Sequence, residues 1–90
     1  MKRILKFPLN SLGAQTNIVF AASELLSIQI QDGIVTLWVE TDSDLSSTTH
    51  YHTFVVPTGR VFDSLDYKHF TTLQDANGFV WHVYVKEENI

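Results

Sequence analysis

The amino-acid sequence predicts an all-β fold: a small antiparallel β-sandwich or partly open β-barrel of roughly five to seven short strands, with at most one or two short helical turns. Two hairpin signatures and the shortness of every other periodic run carry that expectation. The first signature is Asp32-Gly33, set between two runs in which apolar and polar residues alternate, Leu26 to Gln31 and Ile34 to Glu40. The second is Asp75-Ala76-Asn77-Gly78, between Lys68 to Gln74 and Phe79 to Val85. No segment with helical spacing is long enough to stand as a packed helix.

Along the chain, Lys2 to Phe7 and Asn17 to Phe20 are strand candidates separated by Pro8-Leu9-Asn10-Ser11-Leu12-Gly13. Pro8 lacks a backbone donor and limits the first. Ala21 to Leu25 has room for one helical turn. Asp-Gly then favours a two-residue hairpin turn, because both residues tolerate positive φ. With Asp32 and Gly33 in the turn, Gln31 faces Ile34, and Ile30 pairs with Val35, Ile28 with Leu37 and Leu26 with Val39, all on one face. A slip by one residue would turn one strand's apolar set to the other face, so turn chemistry and alternation agree on the register. The opposite face carries Ser27, Gln29, Thr36 and Glu40 and leaves Trp38 on a polar surface.

Thr41 to Thr49 is rich in Asp and Ser and reads as a loop, His50 to Val56 as a strand stopped by Pro57, and Pro57-Thr58-Gly59-Arg60 as a turn. Phe62 to Tyr67 has room for a second helical turn. At the last hairpin a four-residue loop ending in Asn-Gly suits a type I turn with Gly in the left-handed region, and a three-residue loop fits as well. In either register Phe79, Trp81, Val83 and Val85 share one face, which places Trp81 in the core, and Val80, His82, Tyr84 and Lys86 share the other.

Ninety residues, 44% hydrophobic and 18% charged, make a single folded domain spanning residues 1–90 rather than a disordered chain. A domain this small buries only about 60–65% of its unfolded surface, so a homo-oligomer is expected. The absence of cysteine excludes disulfides, thiolate metal sites and cysteine nucleophiles. A net charge of −4 argues against duplex nucleic acid and anionic membrane surfaces as partners. No apolar run approaches the roughly 18 residues of a membrane span. Met1-Lys2-Arg3 is not followed by the apolar run of a signal peptide, so a cytoplasmic location is expected.

Few residues suggest chemistry. His50 and His52 are two apart on a strand, so their imidazoles share a side, as in metal sites. Two ligands fall short of the three a catalytic metal normally takes, so packing or hydrogen bonding is the plainer role, and no cofactor is expected. Thr58-Gly59-Arg60 offers backbone N–H groups, a hydroxyl and a guanidinium, a set able to hold a phosphate or carboxylate; otherwise it is a strand-ending turn. Lys68 would add a cation and Trp38 and Tyr84 stacking rings, while Trp38 and Tyr51 are candidate anchors for a protein partner. The pairs Asp42 with Asp44, Asp63 with Asp66, and Glu87 with Glu88 read as solvated charge. No phosphate-binding loop, nucleophile elbow or zinc-protease motif occurs, so no catalytic residue is assigned and the expectation is a binding protein, not an enzyme.

The ordered pattern of Lys-Arg-Ile-Leu-Lys-Phe-Pro-Leu at the start, Gln29, Gln31 and Gly33, Leu37-Trp38, Thr58-Gly59 and Val80-Trp81-His82 resembles a family of small phage-encoded proteins with no assigned catalytic residues. The likeness covers nearly the whole chain and departs at Pro57. It implies an infected bacterial cytoplasm and, by association, a protein that occupies a host defence protein or sequesters a small anionic, nucleotide-type immune signal. The alternatives are a structural or virion accessory domain and a metal-dependent hydrolase using His50 and His52.

Overall fold

The computed structural model describes residues 1–9 and 13–90 and contains seven strands: β1 (Lys2–Pro8), β2 (Gly13–Val19), β3 (Ala22–Gln31), β4 (Ile34–Asp42), β5 (Thr49–Pro57), β6 (Lys68–Gln74) and β7 (Val80–Asn89). They form two antiparallel sheets, ordered β1-β4-β3 and β2-β5-β7-β6, which pack face to face as a small sandwich. The all-β expectation holds, and there is no helix among the described residues. Part of the connection read across Pro8 to Gly13, residues 10–12, lies outside the described residues.

The hairpin of β3 and β4 forms as its turn residues require: Asp32 and Gly33 take φ of 51° and 78°, and Gln31 pairs with Ile34, Ile30 with Val35 and Ile28 with Leu37. Beyond Ser27, opposite Trp38, a bulge absorbs Leu26, so Leu25 rather than Leu26 faces Val39. Leu26 is 43% exposed instead of packing in the core.

Neither expected helical turn forms. Residues from Ala22 onward extend β3 and pair with Asp42 back to Val39, which satisfies backbone groups that a lone helical turn would leave open. Between Phe62 and Tyr67 the chain makes a turn in which Tyr67 N donates to Ser64 O at 2.9 Å, Leu65 N donates to the Asp63 carboxylate at 2.9 Å, and Leu65 sits at φ 50°. Asp63 thereby holds its own backbone in a turn, a competition that disfavours helix.

Ile28, Leu37 and Val39 from the smaller sheet meet Tyr51, Val55, Val83 and Val85 from the larger in one core. Each fully buried aliphatic of this size contributes about 1.5–3 kcal/mol by leaving water. Four buried threonines border it, and each hydroxyl is satisfied: Thr36 by Ile34 O, Thr41 by Arg3 O, Thr49 by Asn89 and Thr53 by Gln15 O. The two sheets are tied by Tyr51, whose hydroxyl lies 2.6 Å from Ser23 Oγ.

The last hairpin takes the register of the three-residue loop: Gln74 pairs with Val80, Asp75 N donates to Phe79 O at 2.9 Å across residues 76–78, and Gly78 N donates to Asp75 O at 3.0 Å. Asp75 organises it: Oδ1 accepts from Asn77 N at 2.9 Å and Phe79 N at 3.0 Å, and Oδ2 accepts from Trp81 Nε1 at 3.0 Å. Gly78 takes φ 85°, as the turn requires. Trp81 is half-buried and packs against the core, whereas Phe79 precedes the strand and is 63% exposed.

Candidate functional site on the outer face of the larger sheet

Strand alternation sorts β5 and β7 into two faces. Tyr51, Thr53 and Val55 point inward; His50, His52 and Phe54 point outward. Antiparallel pairing sets Glu88 opposite His50, Lys86 opposite His52, Tyr84 opposite Phe54 and His82 opposite Val56. In β6 a bulge between His69 and Thr71 places His69 beside Tyr84 and Thr72 beside His82. All four histidines of the chain therefore lie on one outer face.

The middle of that face is aromatic. Phe54 and Tyr84 stack nearly parallel, 6° apart with centroids 5.0 Å apart, and Phe62 and Tyr67 meet Phe54 edge-on at 5.6 and 4.9 Å. Such pairs add about 0.5–1.5 kcal/mol beyond their buried area. They pin the 58–67 loop onto the sheet. Beside the cluster is a shallow apolar groove of about 290 Å3 between Ala14, Phe54, Phe62, Leu65 and Tyr67.

At one end of the face, His82 is enclosed by hydroxyls. Its Nε2 lies 2.8 Å from Thr58 Oγ1 and its Nδ1 3.1 Å from Thr72 Oγ1, which is also 2.8 Å from His69 Nε2. At the other end, Glu88 Oε1 lies 3.4 Å from His52 Nε2 and 3.8 Å from His50 Nδ1, while His52 Nδ1 is 2.9 Å from Thr16 Oγ1. Next to them Lys86 Nζ donates to Asp66 at 2.9 Å. That hydrogen bond holds the Asp66 carboxyl below its usual pKa and raises that of Lys86.

The sequence-predicted residues do not converge. Tyr51 is fully buried, with its phenol pKa raised by burial against the opposing pull of the Ser23 hydrogen bond, so it is a core residue and no surface anchor. Trp38 is half-buried on the outer face of the smaller sheet, between Lys6 and Ser27, on the opposite side of the sandwich from Tyr84. Tyr84 is committed to the stack on Phe54. Thr58 and Gly59 form the expected turn, with Arg60 N donating to Pro57 O at 3.3 Å and Gly59 at φ 91°, but the Thr58 hydroxyl is engaged by His82. Arg60 is exposed in that turn. Lys68 opens onto a different groove, of about 370 Å3, where Lys86 stands with Asp66 and Glu87.

Of the six carboxylates read as solvated, four are ion-paired, Asp42 with the Met1 amine at 3.0 Å, Asp44 with the same amine, Asp66 with Lys86, and Glu88 with the His50 and His52 rings, and Asp63 accepts from Leu65 N. The Glu88 position went unread because β7 runs on to Asn89, past the apolar residues that mark it. Continuing the alternation from Tyr84 through Lys86 would have put Glu88 on the histidine side.

The fold and site define a small two-sheet β-protein with a histidine- and aromatic-bearing outer face. The chain belongs to the family described as Domain of unknown function (DUF7352), whose model matches residues 1–90. No curated protein and no solved structure matches it. No helix among the described residues is long and apolar enough to cross a membrane.

Proposed function

We propose that this is a non-enzymatic protein-binding domain whose contact surface is the 58–67 loop and the aromatic cluster beneath it. The observation that carries the reading is the exposure of apolar residues on an anchored loop: Val61 is 96% exposed, Leu65 73% and Phe62 42%. A soluble domain leaves large side chains grouped in this way where a partner covers them, and a loop already pinned by stacking loses little freedom on binding. The partner is a host defence protein in an infected bacterial cytoplasm, the setting implied by the likeness to phage-encoded proteins, and the domain acts as a homo-oligomer that occupies it. A sequestered anionic signal is less well supported. Its expected cations and rings, Arg60, Lys68, Trp38 and Tyr84, lie apart, and the groove at Lys68 balances two lysines against two carboxylates.

Native mass spectrometry of untagged protein gently purified from its host tests the reading. A retained protein mass is expected for the parent and for Trp38→Ala, and its loss for Leu65→Asp, an exposed position whose substitution leaves the core untouched. Retention by Leu65→Asp, or a bare species throughout, would refute the assignment. Co-sedimentation with virus particles would favour the structural accessory role instead.

A further inference from the structure

We infer that His50, His52 and Glu88 form a binding site for one first-row divalent cation, with Zn2+ the best-matched ion. This stands independently of the protein-binding reading, since it uses none of the exposed apolar residues of the 58–67 loop. The backbone produces the site. His50 and His52 share the outer side of β5 by alternation, and the β5–β7 register sets Glu88 directly opposite His50 and diagonal to His52.

Geometry distinguishes this trio from a chance cluster. Ligands at 2.0–2.2 Å from a tetrahedral zinc stand about 3.4 Å from one another. Here Glu88 Oε1 is 3.4 Å from His52 Nε2 and 3.8 Å from His50 Nδ1, and one ligand atom from each residue lies within 4.8 Å of the others. A second observation concerns His52. Its Nδ1 is 2.9 Å from Thr16 Oγ1, and when an ion replaces the His52 Nε2 contact with Glu88, a proton on Nδ1 donated to that hydroxyl leaves the Nε2 lone pair for the ion. Metal-bound histidines are characteristically oriented in this way through their other nitrogen.

Local charge favours occupancy. Lys86, the neighbouring cation on β7, is held by Asp66 and leaves Glu88 to the imidazoles. The side chains are accessible, at 27% for His50, 21% for His52 and 45% for Glu88, so an ion has an open approach. Two imidazoles and a carboxylate suit zinc, nickel, cobalt or copper over magnesium or calcium, and three protein ligands leave a position for water or a donor from a bound partner. The other histidine pair does not compete, because both nitrogens of His82 are engaged by threonine hydroxyls.

The test is calorimetric titration of chelator-treated, untagged full-length protein with ZnCl2, alongside Co2+ absorption spectroscopy, which reports coordination number through d–d band intensity. One saturable equivalent of Zn2+ is expected, with a Co2+ spectrum of four or five coordination. His52→Ala and Glu88→Gln should each weaken Zn2+ at least tenfold, and Thr16→Val about tenfold, as for loss of a group that orients a metal ligand. His69→Ala/His82→Ala should bind like the parent. Circular dichroism on each variant separates lost ligands from lost fold. Absence of saturable binding, undiminished affinity in folded His50→Ala/His52→Ala, or affinity that tracks His69 and His82 would overturn the site.

Discussion

The two histidine pairs lie on the same sheet face, separated by one aromatic cluster, and differ in their neighbours. Around His69 and His82 stand Thr58 and Thr72, neutral hydroxyls that can donate or accept and that engage both nitrogens of His82 and Nε2 of His69. Around His50 and His52 stands Glu88, which accepts only, so one carboxylate is shared between two imidazoles in place of hydroxyls that could also donate. One hydroxyl, that of Thr16, orients His52 from behind instead of blocking it. Histidine content alone therefore says little about a metal site; the partner across the strand decides whether the rings are consumed by the protein or left to an ion.

The largest expected effect comes from removing what separates the two ends. Phe54→Ala deletes the ring shared by Tyr84, Phe62 and Tyr67 and unpins the 58–67 loop. Because Phe54 is half-buried, the loss should be somewhat below that of a core phenylalanine, about 2–4 kcal/mol in urea unfolding. The loop should also become more open to proteolysis. A smaller effect, of opposite kind at each end, comes from the two threonines. Thr72→Val should cost about 1 kcal/mol by removing the partner of His69 Nε2 and of His82 Nδ1 while leaving Zn2+ affinity intact. Thr16→Val should change metal-free stability less than that and act mainly on the ion; equal effects of the two variants on both readouts would erase the distinction between the ends.

The smallest effect belongs to acid. The Trp81 indole N–H, foremost, and the loop amides hold the Asp75 carboxyl below its usual range. A depressed folded-state pKa contributes stability that is present above the unfolded value of about 3.9 and lost as pH falls through the folded value. Asp75→Asn should therefore be less stable than the parent near neutrality and lose less on acidification below about pH 4, measured as thermal midpoint against pH. A parallel pH profile for parent and variant would show that the loop anchor is not the carboxylate.

The sandwich was largely legible because turn chemistry and alternation are local. Asp32 and Gly33 both take positive φ, and the register they impose holds as far as Ser27 opposite Trp38. It breaks at Leu26, since Leu25 and Leu26 are both apolar and nothing in their order tells which is extruded as a bulge. The candidate site was less legible. His50 and His52 announce themselves on one strand, but their third ligand is 36 positions further along the chain from His52 and depends on the β5–β7 register. Tyr51 was misread because a hydroxyl-bearing ring in a strand suits either an exposed anchor or, as here, a buried one with a partner such as Ser23.

The four sheet edges are guarded unequally. Strand β1 carries Lys2, Arg3, Lys6 and Pro8, and β3 and β6 each carry a bulge. Strand β2, Gly-Ala-Gln-Thr-Asn-Ile-Val, has no charge, proline or bulge along it, and it pairs only with β5 among the described residues. Lysine, proline and bulges are what commonly keep one exposed edge from pairing with another. As concentration rises, growth of this sheet by an incoming foreign strand is thus directed to one side, so crowding would extend the larger sheet at β2 while the smaller sheet stays capped.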